Sequence, residues 1–398
     1  MKPYRVLIVE DHPFQHEFLR NLFGTLGGFQ AEAVWDGATA LQRLNAQPYD
    51  LVVTDLFMPV MDGVQLIQSI ARLDNAPALA LMSVASRRML VSAGLVAKNL
   101  SLEVLGLISK PVEACDILRL RACLDKRRSD LDVARNHPLQ PARQCLLAAM
   151  QSGEIQAWFQ PKKSLRDGRV CSAEALVRWR HPQQGTLLPR DFLPSLQCFG
   201  LEEALLWLML EQTIEAQAFW RRRGCEVPVS INLPTHLLDS HDLADRLHDR
   251  VLALGAEPAS IGFELLETST TESLSDYYAG ACRLRMKGFG LAQDDFGKGL
   301  SSYFNLVSTP FSELKIDRSL VHGCVDNDSL ATALQSIVEL SRKLGLIVTA
   351  EGVETKDELE FLRKIQCDQA QGFLICAAVS PERFLELLRE DGFKPALN

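Results

Sequence analysis

Over the first 125 positions, apolar residues come in short runs that stop abruptly at polar or acidic residues. The runs from Arg5 to Val9, Ala31 to Val34, Leu51 to Thr54, Leu79 to Met82 and Val104 to Ile108 read as strands, each followed by a stretch of helical periodicity. Strands alternating with helices predict a doubly wound parallel sheet covered on both faces, with functional groups at the carboxyl ends of the strands. Asp11, Asp55, Ser83 and Lys110 fall at those ends. From about Asp125 to Gln144 the pattern turns polar and charged through Arg127, Arg128, Asp130, Asp132 and Arg135 to Pro138 and Pro141, which predicts a helical extension running into a linker. Beyond it the strand-then-helix rhythm resumes, with strand candidates from Cys171 to Trp179, Val227 to Leu233, Ile261 to Leu266, Leu291 to Phe296, Glu313 to Ile316, Ile347 to Glu351 and Gln369 to Ile375. That rhythm, sustained for roughly 250 residues, suits one (β/α)8 barrel. The expected organisation is therefore α/β throughout: a parallel-sheet domain over 1–125, a helical linker over 126–144 and a TIM-like barrel over 145–398.

Composition narrows the function classes. With 47% hydrophobic and 23% charged residues the chain is ordinary for a globular protein of 398 residues. A net charge of −8 argues against nucleic acid as a partner, because phosphate backbones are met by basic faces, and clusters such as Lys126-Arg127-Arg128 and Arg221-Arg222-Arg223 are short. No apolar stretch approaches the ~20 residues of a membrane helix, and Lys2 leads straight into a strand without a signal peptide, so a cytoplasmic protein with no membrane insertion is expected. Ten cysteines without a Cys-x-x-Cys pair read as free thiols.

Two acidic constellations carry the chemistry. In the first, Glu10 and Asp11 follow one strand and Asp55 another, so three carboxylates meet at one sheet edge and can hold one Mg²⁺. Asp55 precedes a turn that leaves it accessible as a nucleophile toward a phosphoryl donor, Lys110 can pair with the phosphoryl oxygens, and Ser83 offers a hydroxyl. Singly, these residues have plain explanations: acids at the positive end of a helix, and Asp62-Gly63 as a turn and cap. As a set, the first 125 residues resemble the receiver domain of two-component response regulators. That resemblance implies Asp55 as phosphoacceptor, Glu10 and Asp11 as metal ligands, Ser83 and Lys110 as the switch pair, and a sensor histidine kinase or phosphotransfer protein as partner. Leu107 stands where receivers often carry an aromatic switch residue.

The second constellation is larger: Glu174, Asn232, Glu264, Asp294-Asp295, Lys315, Asp317 and Glu351, most of them ending apolar runs. Converging carboxylates and an amide oxygen are hard donors that suit Mg²⁺ or Mn²⁺ rather than zinc. The segments Phe159-Gln160-Pro161-Lys162, Glu174-Ala175-Leu176-Val177-Arg178-Trp179, Phe263-Glu264-Leu265-Leu266-Glu267, Asp294-Asp295-Phe296-Gly297, Leu314-Lys315-Ile316-Asp317, Glu351-Gly352-Val353-Glu354 and Gln371-Gly372-Phe373 resemble the EAL family of cyclic di-GMP phosphodiesterases. The resemblance implies a modified barrel with one antiparallel strand. It also implies hydrolysis of cyclic di-GMP to pGpG with two Mg²⁺ or Mn²⁺ ions, inhibition by Ca²⁺, and assembly as a homo-oligomer, dimer or larger. Carried over residue by residue, Glu174, Asn232, Glu264, Asp294, Asp295 and Glu351 are metal ligands, with Glu174, Glu351 and Lys315 in the catalytic set. Lys315 orients or deprotonates the attacking water with Asp317 close by. Gln160, Leu176, Arg178, Asp317 and Gln371 face the substrate, and Glu267 steadies the loop over 297–303. Gln160 alone could equally be a plain strand-end polar residue.

Departures from the family pattern touch no metal ligand: Leu266 for a usual threonine, Lys298 for a small residue or threonine, Leu300 for an aromatic, Ala377-Ala378 for a basic-proline pair, and Ser195-Leu196-Gln197 without the usual glutamate. They affect affinity, loop conformation or assembly before chemistry. The enzyme reading competes with a degenerate module that binds cyclic di-GMP and signals through protein partners; loss of Glu174 or Glu351 would have favoured the latter, and both are present.

Overall fold

The computed structural model describes residues 3–73, 75–84, 87–136, 141–266, 273–298 and 303–390, apart from the side chains of 87 and 129–136. The chain separates into two compact units, Met1–Leu139 and Gln140–Asn398.

In the first unit, β1 (Tyr4–Val9), α1 (Pro13–Thr25), β2 (Phe29–Val34), α2 (Gly37–Ala46), β3 (Leu51–Asp55), α3 (Gly63–Ile70), β4 (Ala78–Ser83), α4 (Arg87–Asn99), β5 (Val104–Ser109) and α5 (Ala114–Asn136) alternate as the pattern predicts. The sheet is parallel in the order β2-β1-β3-β4-β5. Its inner strands β1, β3 and β4 are buried on both faces because helices cover both. Leu7, Val9, Val52, Leu79 and Leu81 pack with Leu66, Ile67, Ile70 and Leu90 on one side. Val6, Ile8, Val53, Ala80 and Met82 pack with Leu19, Phe23, Ile117 and Leu120 on the other. Each Val, Leu, Ile, Phe or Met among them contributes about 1.5–3 kcal/mol relative to exposure. Asp62 caps α3 in a reciprocal box with Gln65, as expected for Asp62-Gly63. α5 continues past Asp125 to Asn136, so the polar stretch there extends an existing helix.

The second unit contains β6 (Ile155–Ser164), β7 (Val170–His181), β8 (Gly185–Leu187), β9 (Val229–Asn232), β10 (Ile261–Leu266), β11 (Gly290–Phe296), β12 (Glu313–Ile316), β13 (Ile347–Ala350) and β14 (Gln369–Ala370). The order β6-β14-β13-β12-β11-β10-β9-β7, closed by pairing of β6 with β7, makes an eight-stranded barrel with β8 as a hairpin arm on β7. β6 is antiparallel to both neighbours, whereas the other barrel strands pair in parallel.

Besides the short arm β8, two barrel strands depart from the sequence reading. β6 is ten residues long and was absent from the expected set, because Gln156, Gln160 and Lys162 keep it from reading as a continuous apolar run and Pro161 argues against a strand interior. The run expected from Gln369 to Ile375 pairs only at Gln369–Ala370. Past that point the backbone turns beneath Val353, with Val353 N donating to Gln371 O and Leu374 N to Val353 O.

Alternation along the barrel strands explains why β6 was missed. Ile231, Phe263, Leu265, Leu291, Leu314, Ile316 and Val348 share one core with residues such as Leu206, Leu210 and Trp220 of the helix Glu202–Arg221. The intervening positions, among them Ser230, Glu264, Lys315 and Thr349, are polar yet buried and bond to partners on other strands. A (β/α)8 interior is ordinarily filled by branched aliphatic side chains. Here that interior is polar, and the apolar periodicity belongs to the outer face of the strands.

Candidate active site

The polar interior culminates at the carboxyl ends of the barrel strands. β7 carries Glu174, β9 Asn232, β10 Glu264, β11 Asp294 and β12 Lys315, while Glu351 and Gln371 directly follow β13 and β14. Adjacent residues of a regular strand point to opposite faces, so Asp294 and Asp295 could not both join one site without a local irregularity. The pairing of β11 with β12 shifts register between Gln293 and Phe296, and Asp295 has φ +55°. This left-handed residue, tolerable for an aspartate, turns the second carboxylate back, and oxygens of Asp294, Asp295 and Glu351 lie within 4.8 Å of one another.

Lys315 occupies the centre, 1% exposed. Its ammonium lies 3.1 Å from Glu174 Oε2, 2.9 Å from Asp294 Oδ1 and 2.7 Å from Glu351 Oε1, and it also bonds Glu264 Oε2. Burial works against its charge, but the surrounding carboxylates overcome this and raise its pKa well above that of an ordinary lysine. Glu264 shows the mirror effect: burial alone would raise its pKa, yet Lys162 and Lys315 bring it down to about 2. Asp294 and Glu351 go the other way. Burial lifts Asp294 to about 6 against the pull of Lys315, and burial with the charges of Asp294 and Glu174 lifts Glu351 well above a normal glutamate. Carboxylates that compete for one ammonium hold protons that a divalent cation would displace.

The amides complete the wall. Asn232 Nδ2 donates to Glu174 Oε1 at 3.0 Å, leaving its carbonyl oxygen for another partner. Gln371 Nε2 donates to Glu174 Oε2 at 2.8 Å and to Gln160 Oε1 at 3.0 Å, and Gln160 Nε2 donates to Cys376 O. Gln371 Oε1 is buried without a protein partner. A cavity of about 260 Å³ opens here, lined by Gln160, Glu174, Leu176, Asp294, Lys315, Glu351 and Gln371 of the expected set.

Other expected residues are placed differently. Arg178 is half-buried, donates to Val177 O at 2.8 Å and does not line this cavity; burial lowers its pKa. Asp317 was expected beside Lys315. Its Oδ1 instead accepts from Ser319 N as the cap of a short helix, and the lysine's charge is met by the carboxylates of other strands. Glu267, Leu300 and most of the loop over 297–303 lie outside the described residues, whereas Lys298 pairs with Asp295 Oδ2 at 2.6 Å.

The sequence reading missed Lys162, Arg318 and Phe373. Exposed Arg318 and Phe373 line the cavity, offering a cation and an aromatic face. Lys162 lies two positions after Gln160 on β6, and that spacing was the available signal. Gly372 is the tightest backbone position at the site, since a Cβ there would lie 2.2 Å from Val353 O and 2.3 Å from Val353 N. Gly372→Ala is expected to destabilise the protein by about 1–3 kcal/mol and to displace Gln371. Denaturant melts together with nucleotide affinity would check this, and unchanged values for both would contradict the packing argument.

The donor chemistry of the barrel site fits divalent cations: hard oxygens predominate, carboxylates outnumber the facing ammoniums, and one buried amide oxygen lacks a partner. In the first unit, Glu10, Asp11 and Asp55 bring carboxylate oxygens within 4.8 Å of one another. Lys110 Nζ donates to Glu10 Oε2 at 2.7 Å and to Asp55 Oδ2, and the peptide to Pro111 is cis. Burial raises the Glu10 pKa, and bonds to Asp55 and Glu10 raise that of Lys110 against its own burial. Ser83 is fully buried at the end of β4. Gly63 packs against the backbone of this site, where a Cβ would meet Asp55 O at 2.4 Å.

Comparison with known proteins places these two sites. Residues 143–378 match the EAL domain family and residues 6–121 the response regulator receiver domain. Cyclic di-GMP phosphodiesterase RocR of Pseudomonas aeruginosa is 29% identical over 388 residues, covering 97% of this chain and 99% of RocR. Cyclic di-GMP phosphodiesterase PA2567 of the same organism is 31% identical, covering 73% of this chain, which in turn spans about half of that protein (52%). Among solved structures, the PaMucR phosphodiesterase in complex with c-di-GMP superposes with a TM-score of 0.56 at 32% identity, covering 60% of this chain and 97% of that one. The barrel with one antiparallel strand, the acidic cluster at its strand ends and these matches together establish that the chain belongs to the EAL domain family, with a response regulator receiver domain ahead of the barrel.

Proposed function

We propose that the barrel is a phosphodiesterase that opens cyclic di-GMP to linear pGpG with Mg²⁺ or Mn²⁺, and that the receiver regulates it through a phosphoryl group on Asp55. The observation that carries the reading is the convergence of Glu174, Glu264, Asp294 and Glu351 on Lys315 beside a cavity lined by Gln160, Gln371 and Arg318. Its support from relatives is that RocR and PA2567 bear the name cyclic di-GMP phosphodiesterase.

In the reaction, water adds to one phosphate and one P–O bond of the ring breaks. Divalent ions held by Glu174, Asn232, Glu264, Asp294, Asp295 and Glu351 would supply an acidified water and offset phosphate charge. The chain's own groups do the rest. Surrounding carboxylates favour a charged Lys315, which suits orienting the water and neutralising negative charge better than taking a proton from it. Gln160 and Gln371 lie side by side on the cavity wall, where their amides can fix the ring, and Gln371 Oε1 is free to accept a bond. Arg318 faces the same cavity and can meet a phosphate; Arg178 joins it if its guanidinium leaves Val177 O.

In the receiver, the Asp55 carboxylate attacks the donor's phosphorus and the donor's own P–N or P–O bond breaks. Lys110, already paired to Asp55, meets the new charge, and Glu10, Asp11 and Asp55 are the ligands for one Mg²⁺. A histidine kinase or phosphotransfer protein would be the donor. Assembly as a homo-oligomer belongs to the same reading.

The test is purified protein with cyclic di-GMP and Mg²⁺, Mn²⁺ or Ca²⁺. Expected are pGpG with the first two, and with Ca²⁺ calorimetric binding of the nucleotide without turnover, since Ca²⁺ fills oxygen sites at longer distances. Binding without pGpG in every metal would replace the enzyme by a cyclic di-GMP receptor.

A further inference from the structure

Beneath the acidic cluster lies an ionic layer that the proposed chemistry does not use. Lys162 on β6 is 1% exposed, with its ammonium 2.9 Å from Glu264 Oε1 and 2.8 Å from Glu313 Oε1. Ser230 Oγ donates to the same Glu264 Oε1, and Thr349 Oγ1 donates to Glu313 Oε1 at 2.7 Å. The other oxygen of Glu264, Oε2, bonds Lys315 and belongs to the acidic cluster. The two oxygens of one carboxylate thus have separate surroundings: Oε1 is closed by an ammonium and a hydroxyl, and Oε2 faces the site.

Stability alone does not account for this layer. A buried ion pair is often matched or bettered by well-packed apolar residues of similar volume, and this barrel's position in the fold class ordinarily takes aliphatic side chains. We propose that Lys162, anchored by Glu313, is a positioning residue that sets the metal preference of the active site by confining Glu264 to a single donor oxygen. The inference rests on the reading of Glu264 as a metal ligand. A carboxylate that offers one oxygen suits Mg²⁺ or Mn²⁺, whose six-coordinate shells are small and regular. A carboxylate free to turn and chelate through both oxygens suits Ca²⁺, which takes about six to eight ligands at longer distances. Lys162 and Ser230 remove the second option by holding Oε1 from below.

The experiment uses the full chain with Asp11→Asn in every protein, so that the receiver's acidic group is disabled and the Mn²⁺ counted belongs to the barrel. Free Mn²⁺ is followed by its electron paramagnetic resonance signal, and Ca²⁺ by competition against it. Lys162→Met keeps much of the side-chain volume and removes the charge. Its Mn²⁺ affinity is expected to fall roughly 10- to 100-fold while Ca²⁺ affinity changes by less than about threefold, so the ratio between the ions shifts toward Ca²⁺. A merely loosened barrel would weaken both ions alike. Equal weakening, or unchanged Mn²⁺ affinity, overturns the proposal. Should Lys162→Met fail to fold, Lys162→Met with Glu313→Gln removes a cation and an anion together; the same shift is expected there, and the parent ratio would overturn the proposal. A parent protein with no Mn²⁺ bound at the barrel would defeat the metal-site reading itself, whereas a parent that binds Mn²⁺ with a ratio indifferent to Lys162 defeats only this inference.

Discussion

Asp294→Asn is expected to lower cyclic di-GMP turnover by a factor on the order of 10² or more, and chelation of the wild type is expected to silence it. The substitution conserves shape, so the loss is one of charge at the position where β11 bulges to bring two consecutive aspartates to one site. Asp294 Oδ1 lies 2.9 Å from Lys315 Nζ, and one oxygen each of Asp294, Asp295 and Glu351 form a group that could grip a cation. An asparagine leaves Lys315 with Glu174, Glu264 and Glu351, so the lysine stays in place while the site loses an anionic donor. A second readout separates this from general damage. Burial lifts the Asp294 carboxyl to about 6, so the wild-type site must shed a proton to take a cation at lower pH. Mn²⁺ affinity should therefore fall as pH drops through about 6, and the fall should be shallower in the asparagine variant, with Glu351 still contributing. Turnover near that of the wild type in the variant, or in the presence of EDTA, would sink the metal-dependent account.

Much of the site was legible because its residues end apolar runs. Asn232 ends β9, Glu351 follows β13, and Glu264, Asp294 and Lys315 lie within the last three residues of strands whose outer faces form the hydrophobic core, where a barrel gathers functional groups, while Glu174 lies within β7. What hid β6 and Lys162 was the inversion of the usual pattern. With a polar interior, the inward residues Gln160 and Lys162 read as surface positions, and only contacts from strands far apart in sequence reveal them as buried. The same blindness affected Asp317. Sequence proximity to Lys315 suggested a pair, but residues two apart at a strand end diverge once the chain enters a helix, and Asp317 caps that helix. Arg318 and Phe373 reach the cavity from loops beyond the strand ends, where no periodicity marks direction. In the receiver the signal was stronger, because Asp55 and Lys110 both lie at the carboxyl ends of parallel strands and so come to one sheet edge, where the long lysine side chain reaches across β4 to Asp55.

Treatment with beryllofluoride or a small phosphodonor is expected to change the phosphodiesterase rate of the wild type and leave Asp55→Ala unresponsive. Asp55 ends β3, nearly buried, with Lys110 paired to its Oδ2 and its Oδ1 accepting from Phe57 N at 3.1 Å. A phosphoryl group there adds roughly two negative charges where Lys110 now divides itself between Asp55 and Glu10. The lysine would follow the stronger charge, loosening its hold on Glu10, and the hydroxyl of buried Ser83 at the end of β4 is within the same sheet edge. Leu107 on β5 is a half-exposed aliphatic residue, so that position offers no aromatic ring to swing inward behind a displaced hydroxyl. The element best suited to carry the change is α5, which follows Lys110 and Pro111 closely and runs unbroken from Ala114 to Asn136. Its inner side chains Ile117, Leu120 and Leu124 pack on the same face of the sheet as Ile8, Val53 and Met82, so a shift at the strand ends is felt along the helix. Following pGpG formation and molecular mass together distinguishes a direct effect on the barrel from one exerted through assembly. Equal responses from wild type and Asp55→Ala, or none from either, would show that the receiver does not govern the barrel through this aspartate.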